Sequence, residues 1–144
     1  MKKYTMKVYP AGLGREAWRT FEISGTETLD GLCEYILALF EFYHEHLYEF
    51  CMDNKMYSEY SYQYQPEYGE PSTDIRLDKL GLVKGQIFSL HYDFGDDWMF
   101  RIRVQKIEDV KGKVSRALLK SKGEVEQYPD YDEFDEDEES EEEE

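Results

Sequence analysis

A chain of 144 residues with 40% apolar side chains is long enough to bury one core without disulfides or metals as staples. No apolar run approaches the roughly 18 residues that a membrane helix needs, and Met1-Lys2-Lys3 leads into polar alternation instead of a signal-peptide core. The net charge of −16 is concentrated at one end: from Asp130 onward there are twelve acidic residues and no basic one, and the preceding 129 residues stand at −4.

Tyr4, Met6 and Val8 alternate with Thr5 and Lys7, the pattern of a half-buried strand. Pro10 to Gly14 is turn chemistry, and Trp18 to Ile23 reads as a second strand, so the two runs predict an antiparallel hairpin. Leu29, Leu32, Cys33, Ile36, Leu37 and Phe40 then fall at offsets 0, 3, 4, 7, 8 and 11, which is one face of a helix. Thr28 is placed to cap it and Asp30 lies in the first turn, where the dipole favours an acid. Gly31 costs that helix about 1 kcal/mol relative to alanine.

Leu47 to Met52 reads as a third strand. The tyrosine-dense stretch 56–68 contains Pro66 and is expected to be an excursion with room for one short strand. A helical turn is expected at Leu77 to Leu80. Ile87, Ser89, His91 and Asp93 alternate with Phe88, Leu90 and Tyr92, and Trp98, Phe100, Ile102 and Val104 continue the pattern beyond Phe94-Gly95-Asp96. Gly95 is expected to supply a positive φ at that turn. A further strand or turn is expected around Val114 to Leu119. The element order predicts a single α+β domain over residues 1–129, one long helix packed on a mixed or mostly antiparallel sheet. Residues 130–144 follow as a disordered acidic tail, because such a block repels itself and cannot bury enough apolar surface to order.

Three carboxylates lie within five residues at the hairpin tip, beside two aromatic rings. Tyr92, Asp93, Asp96, Asp97 and Trp98 are therefore the candidate binding residues, and the aspartates suit a hard divalent cation through oxygen. Asp at a hairpin turn also serves the backbone, which is the structural reading of the same run. His44-Glu45-His46 forms a second constellation: histidines two apart share a strand face and can share a transition metal. A metal site of His44, His46 and Asp96 requires the third strand to lie beside the last hairpin. His91 is expected as a surface or cross-strand residue. Cys33 and Cys51, with no CxxC pair, read as reduced buried thiols, which suits the cytoplasm.

The blocks Thr28-Leu29-Asp30-Gly31-Leu32, His46-Leu47-Tyr48-Glu49-Phe50 and Tyr92-Asp93-Phe94-Gly95-Asp96-Asp97-Trp98 resemble, in that order, the signature segments of the plasmid pRiA4b open-reading-frame-three-like family. The resemblance covers about residues 4–107. It implies an α+β domain of cytoplasmic bacterial or archaeal origin, without an assigned activity, with some members riding on insertion elements under a resolvase-like label. This chain departs from fuller members after the last hairpin, where it has Lys120-Ser121-Lys122-Gly123-Glu124 in place of a cysteine-containing, glycine-rich segment.

Recombination itself is disfavoured by the chemistry. A serine recombinase needs arginines around an activated serine, and the basic residues here are scattered. The −4 body lacks a Lys/Arg block, which also disfavours direct nucleic-acid binding. The expected function is a cytoplasmic binding or accessory module, associated with mobile elements, whose acidic tail contacts a basic protein. The alternative is a metal-dependent, hydrolytic enzyme using His44, His46 and the Asp93/Asp96/Asp97 turn.

Overall fold

The computed structural model describes residues 1–128. β1 (Lys2–Pro10) and β2 (Trp18–Ser24) form the expected antiparallel hairpin. Its alternation puts Tyr4, Met6, Val8, Phe21 and Ile23 in the core. Helix α1 (Leu29–Leu39) follows, with Thr28 Oγ1 accepting from Gly31 N–H at 3.1 Å as its N-cap. Its buried residues are Leu29, Leu32, Cys33, Ile36 and Leu37, the stripe read from the spacing. Asp30 does more than face the dipole: its carboxylate accepts from the hydroxyls of Tyr48 and Thr73 and ties the helix to the sheet. At the other end Arg19 of β2 lies over the Phe40 ring and donates to the Leu39 carbonyl, satisfying one of the helix's open acceptors.

Five more strands complete the sheet: β3 (Tyr48–Cys51), β4 (Ser61–Gln63), β5 (Ile87–Tyr92), β6 (Trp98–Asp109) and β7 (Ala117–Lys122). The order across the sheet is β4-β3-β5-β6-β1-β2-β7, and every neighbouring pair is antiparallel. The expectation of an α+β domain with one long helix packed on a mixed or mostly antiparallel sheet is therefore corrected. One antiparallel sheet of seven strands makes up most of the molecule, and its helix has eleven residues. The apolar stripe measured only about three helical turns. The tyrosine stretch and the segment near residue 117 each supplied a sheet edge, β4 and β7, and β6 runs on to Asp109.

The core lies on one face of the sheet, under α1, where Phe50, Phe88, Leu90, Phe100 and Ile102 meet the helix stripe. The other face is covered at one end by the loop after β3. Cys51 and Met99 are buried there, outside the main core cluster. No helix among the described residues is long and apolar enough to cross a membrane. The acidic stretch 130–144, expected to be disordered, lies outside the described residues.

Candidate functional site

Strand register sets the site. Glu49 of β3 stands opposite Gln63 of β4 on one side and His91 of β5 on the other, and His91 stands opposite Met99 of β6. This row points away from the core, yet Glu49 and His91 are both 0% exposed. His91 Nδ1 lies 2.7 Å from Glu49 Oε2, and its Nε2 lies 2.6 Å from Asp97 Oδ1. With a carboxylate at each nitrogen, the ring is placed to donate from both when it carries a proton on both. Burial opposes that charge, but the bonds to Glu49 and Asp97 outweigh it and keep His91 above the usual histidine range.

Glu49 is held equally firmly. Burial alone would push its carboxyl up, but hydrogen bonds from His91, the Tyr57 backbone N–H and the Gln63 amide hold it down at about 2. The Tyr57 N–H donates to Oε2 at 2.8 Å and Gln63 Nε2 donates to Oε1 at 2.7 Å. Cys51, two residues along the same face, is pushed up to about 12 by burial and by Glu49, so at neutral pH it is a thiol and not a nucleophile. Ser89 is its cross-strand partner and, with Asn54, anchors the Arg101 guanidinium. Tyr57 and Phe94 roof the imidazole, with ring centroids 5.1 and 4.9 Å from it.

The backbone around this row is strained. Tyr57, Asp93 and Asp97 have φ of 57°, 70° and 56°, a region that costs a non-glycine residue roughly 1–3 kcal/mol and persists where the surroundings enforce it. The bend at Tyr57 accompanies its N–H bond to Glu49, and the bend at Asp97 accompanies its bond to His91.

The five binding candidates at the hairpin tip diverge. Tyr92 points into the core side, where its hydroxyl accepts from the Glu45 and His46 N–H groups and donates to the Tyr43 carbonyl. Trp98 is half-buried on that same face, edge-on to Phe42 at 4.9 Å. Asp93 is buried and its Oδ1 accepts from the N–H groups of Gly95 and Asp96, the local turn role. Asp96 is exposed and Asp97 reaches across to His91. Positive φ falls on Asp93 and Asp97 and not on Gly95, which corrects the expectation for the turn.

The third strand does lie beside the last hairpin, as the proposed histidine site required. His46 Nε2 comes within 3.5 Å of Asp93 Oδ2 and 2.6 Å of the Tyr128 hydroxyl. His44 packs edge-on against Tyr48 and Tyr92. The set of described residues whose ligand atoms gather within metal reach is instead Glu49, Cys51 and His91. Sequence reasoning missed all three as a group. The usable signal was the polar alternation of Glu49 and Cys51 against Tyr48 and Phe50, and of Ser89 and His91 against Phe88 and Leu90.

Next to this row, a groove of about 460 Å³ runs along β4 and the 64–71 segment to Phe94. Its lining includes Glu59, Glu67 and Glu70, the rings of Tyr64 and Tyr68, and Pro66 and Pro71, and it contains no lysine or arginine. Tyr68 is 86% exposed.

Fold and site together define a class: a single antiparallel sheet with one helix over its core face and, on the other face, a buried glutamate–imidazole pair capped by an exposed aspartate. The chain belongs to the plasmid pRiA4b ORF-3-like protein family, whose pattern matches residues 2–142. It is similar to the crystal structure of a protein of unknown function from Methanosarcina mazei Go1, with a TM-score of 0.68 and 23% identity over 83% of this chain and 69% of that one. At that identity the likeness shows the fold alone. No curated protein matches the chain.

Proposed function

We propose that the protein is a cytoplasmic, non-catalytic binding module that takes a lysine- or arginine-bearing extended segment of a partner protein in the groove beside β4. The carrying observation is the lining of that groove: three glutamates, exposed tyrosine and proline, and no basic side chain. Carboxylates around an aromatic and proline surface attract cationic side chains and give their aliphatic stems something to pack on. The twelve acids beyond residue 129 add attraction of the same sign and speed encounter with a basic partner. Buried free thiols at Cys33 and Cys51 suit a reducing compartment. The Cys51 thiol is too basic to serve as a nucleophile, which disfavours thiol catalysis as an alternative.

The test is fluorescence anisotropy with a labelled lysine-rich peptide and its glutamate counterpart. Binding of the lysine peptide is expected, weakening about tenfold or more in Glu67→Lys/Glu70→Lys and in Tyr68→Ala, with the glutamate peptide inert. Full binding by both groove variants, lost only when residues 130–144 are deleted, would overturn the groove and leave the tail as the whole contact.

A further inference from the structure

We infer that Glu49, Cys51 and His91 form a site for one zinc-class divalent ion, bound through a carboxylate oxygen, the thiolate sulfur and imidazole Nδ1. This site is separate from the groove and does not depend on it. Oxygen, sulfur and nitrogen donors from the three side chains already lie within 4.8 Å of one another, and all three residues are buried. Tetrahedral zinc holds such donors about 3.4 Å apart, so the cluster must close slightly while the 2.7 Å contact between Nδ1 and Glu49 Oε2 opens. The mixed donor set selects zinc or cobalt over calcium or magnesium, which prefer oxygen alone.

The surroundings point the same way. A metal-bound histidine characteristically donates its other ring N–H to a carboxylate, and Asp97 already accepts from His91 Nε2 at 2.6 Å. Gln63 and the Tyr57 N–H orient the Glu49 carboxylate in the same manner. These supports come from β4, from the loop after β3 and from the hairpin tip, and two of them sit on backbone with positive φ. In the metal-free protein Nδ1 and Glu49 Oε2 lie against each other where the ion would enter between them. A divalent ion among one carboxylate, one thiolate and a neutral imidazole leaves that first ring of ligands neutral, with Asp97 keeping its charge outside it. A fourth position is left for water.

Cobalt titration of the full, reduced, chelator-stripped chain reads this site directly, because a thiolate ligand produces an intense near-ultraviolet charge-transfer band that carboxylates and imidazoles do not. One equivalent of cobalt is expected to raise the band, and one equivalent of zinc to abolish it. Cys51→Ser should remove the band. Asp97→Asn should keep it with affinity lowered 10–100-fold, the usual penalty for losing such a support. Cys33→Ser, on the core side of the sheet, and His46→Gln should leave it unchanged. Absence of the band in the unmodified protein, its survival in Cys51→Ser, or its loss in Cys33→Ser would each overturn the proposal. Should Cys51→Ser fail to fold, the Asp97→Asn and Cys33→Ser titrations still decide.

Discussion

His91 is buried with a carboxylate at each ring nitrogen, Glu49 on one side and Asp97 on the other. Replacing it by glutamine in the metal-free protein leaves the Glu49 carboxylate buried without its ring partner. Removing one partner of a buried pair costs about 3–5 kcal/mol, and urea unfolding should show a loss of that order. The pH response has two limbs. Glu49 is depressed on folding, so its contribution is present above the ordinary value of 4.5 and is lost as pH falls toward about 2. His91 is raised, so its contribution is full below the unfolded value of 6.5 and is lost as pH climbs through the folded one. Melting temperature in the presence of chelator should therefore be highest between those values and fall on both sides. In His91→Gln the alkaline fall contributed by this pair should vanish, and an unchanged alkaline limb would mean that His91 is neutral in the fold. Period-two alternation made it legible that Glu49 and His91 face away from Phe50 and Leu90. Their pairing and burial were not legible, because they depend on β3 lying beside β5 and on a loop folding back over the row. The hairpin tip was misread for a related reason. Which way each aspartate points is decided by positive φ at Asp93 and Asp97, where a glycine was the expected site of that bend.

Elements whose signal is local came through the sequence well. The β1–β2 hairpin, the Thr28 cap and the helix stripe all rest on neighbours within a few residues, and they stand where the spacing put them. β4 and β7 were weaker because an edge strand of three residues, or one with Leu118 and Leu119 exposed, carries little alternation. The backbone just after β7 is nevertheless rigidly specified. Gly123 has φ of +69°, and a Cβ there would sit 1.9 Å from the Glu16 carbonyl oxygen. Gly85 has φ of +91° with nothing within 4 Å. Gly85→Ala should cost only the left-handed penalty, roughly 1–2 kcal/mol. Gly123→Ala adds a backbone clash that no rotamer relieves, so the chain must part from Glu16 or β7 must shift on β2. Thermal melts of the two variants should separate clearly, with Gly123→Ala much the lower. Equal losses would show that the 123–128 segment, including the bond from the Tyr43 N–H to the Gln127 side chain, is not held as described.

At the scale of the molecule, topology decides how stability is distributed. The sheet's middle is built from its far ends in sequence: β1 pairs along its full length with β6, Lys2 opposite Asp109 and Pro10 opposite Phe100. Neither strand has a packed surface until the other arrives, and closing so long a loop must precede the reward. The hairpin at the start and the hairpin at residues 87–109 cannot therefore be separate stable halves. Far-UV and near-UV signals should lose structure in one coincident transition under urea, as a single cooperative domain does. The edge should behave otherwise. β4 meets β3 over three residues, and Gln63 is otherwise tied to the 71–73 segment by two backbone bonds. Local opening of such a unit needs far less than global unfolding. Native-state hydrogen exchange should thus place β1, β5 and β6 amides at the global limit and those of β4 and the 53–60 loop well below it. Because that loop carries the Tyr57 N–H and roofs His91, zinc taken up at the proposed Glu49–Cys51–His91 site should slow exchange there and leave the β1–β2 hairpin turn unaffected. Equal protection of β4 and β6 would mean that the edge is part of the cooperative core, and the buried row would then open only when the whole sheet does.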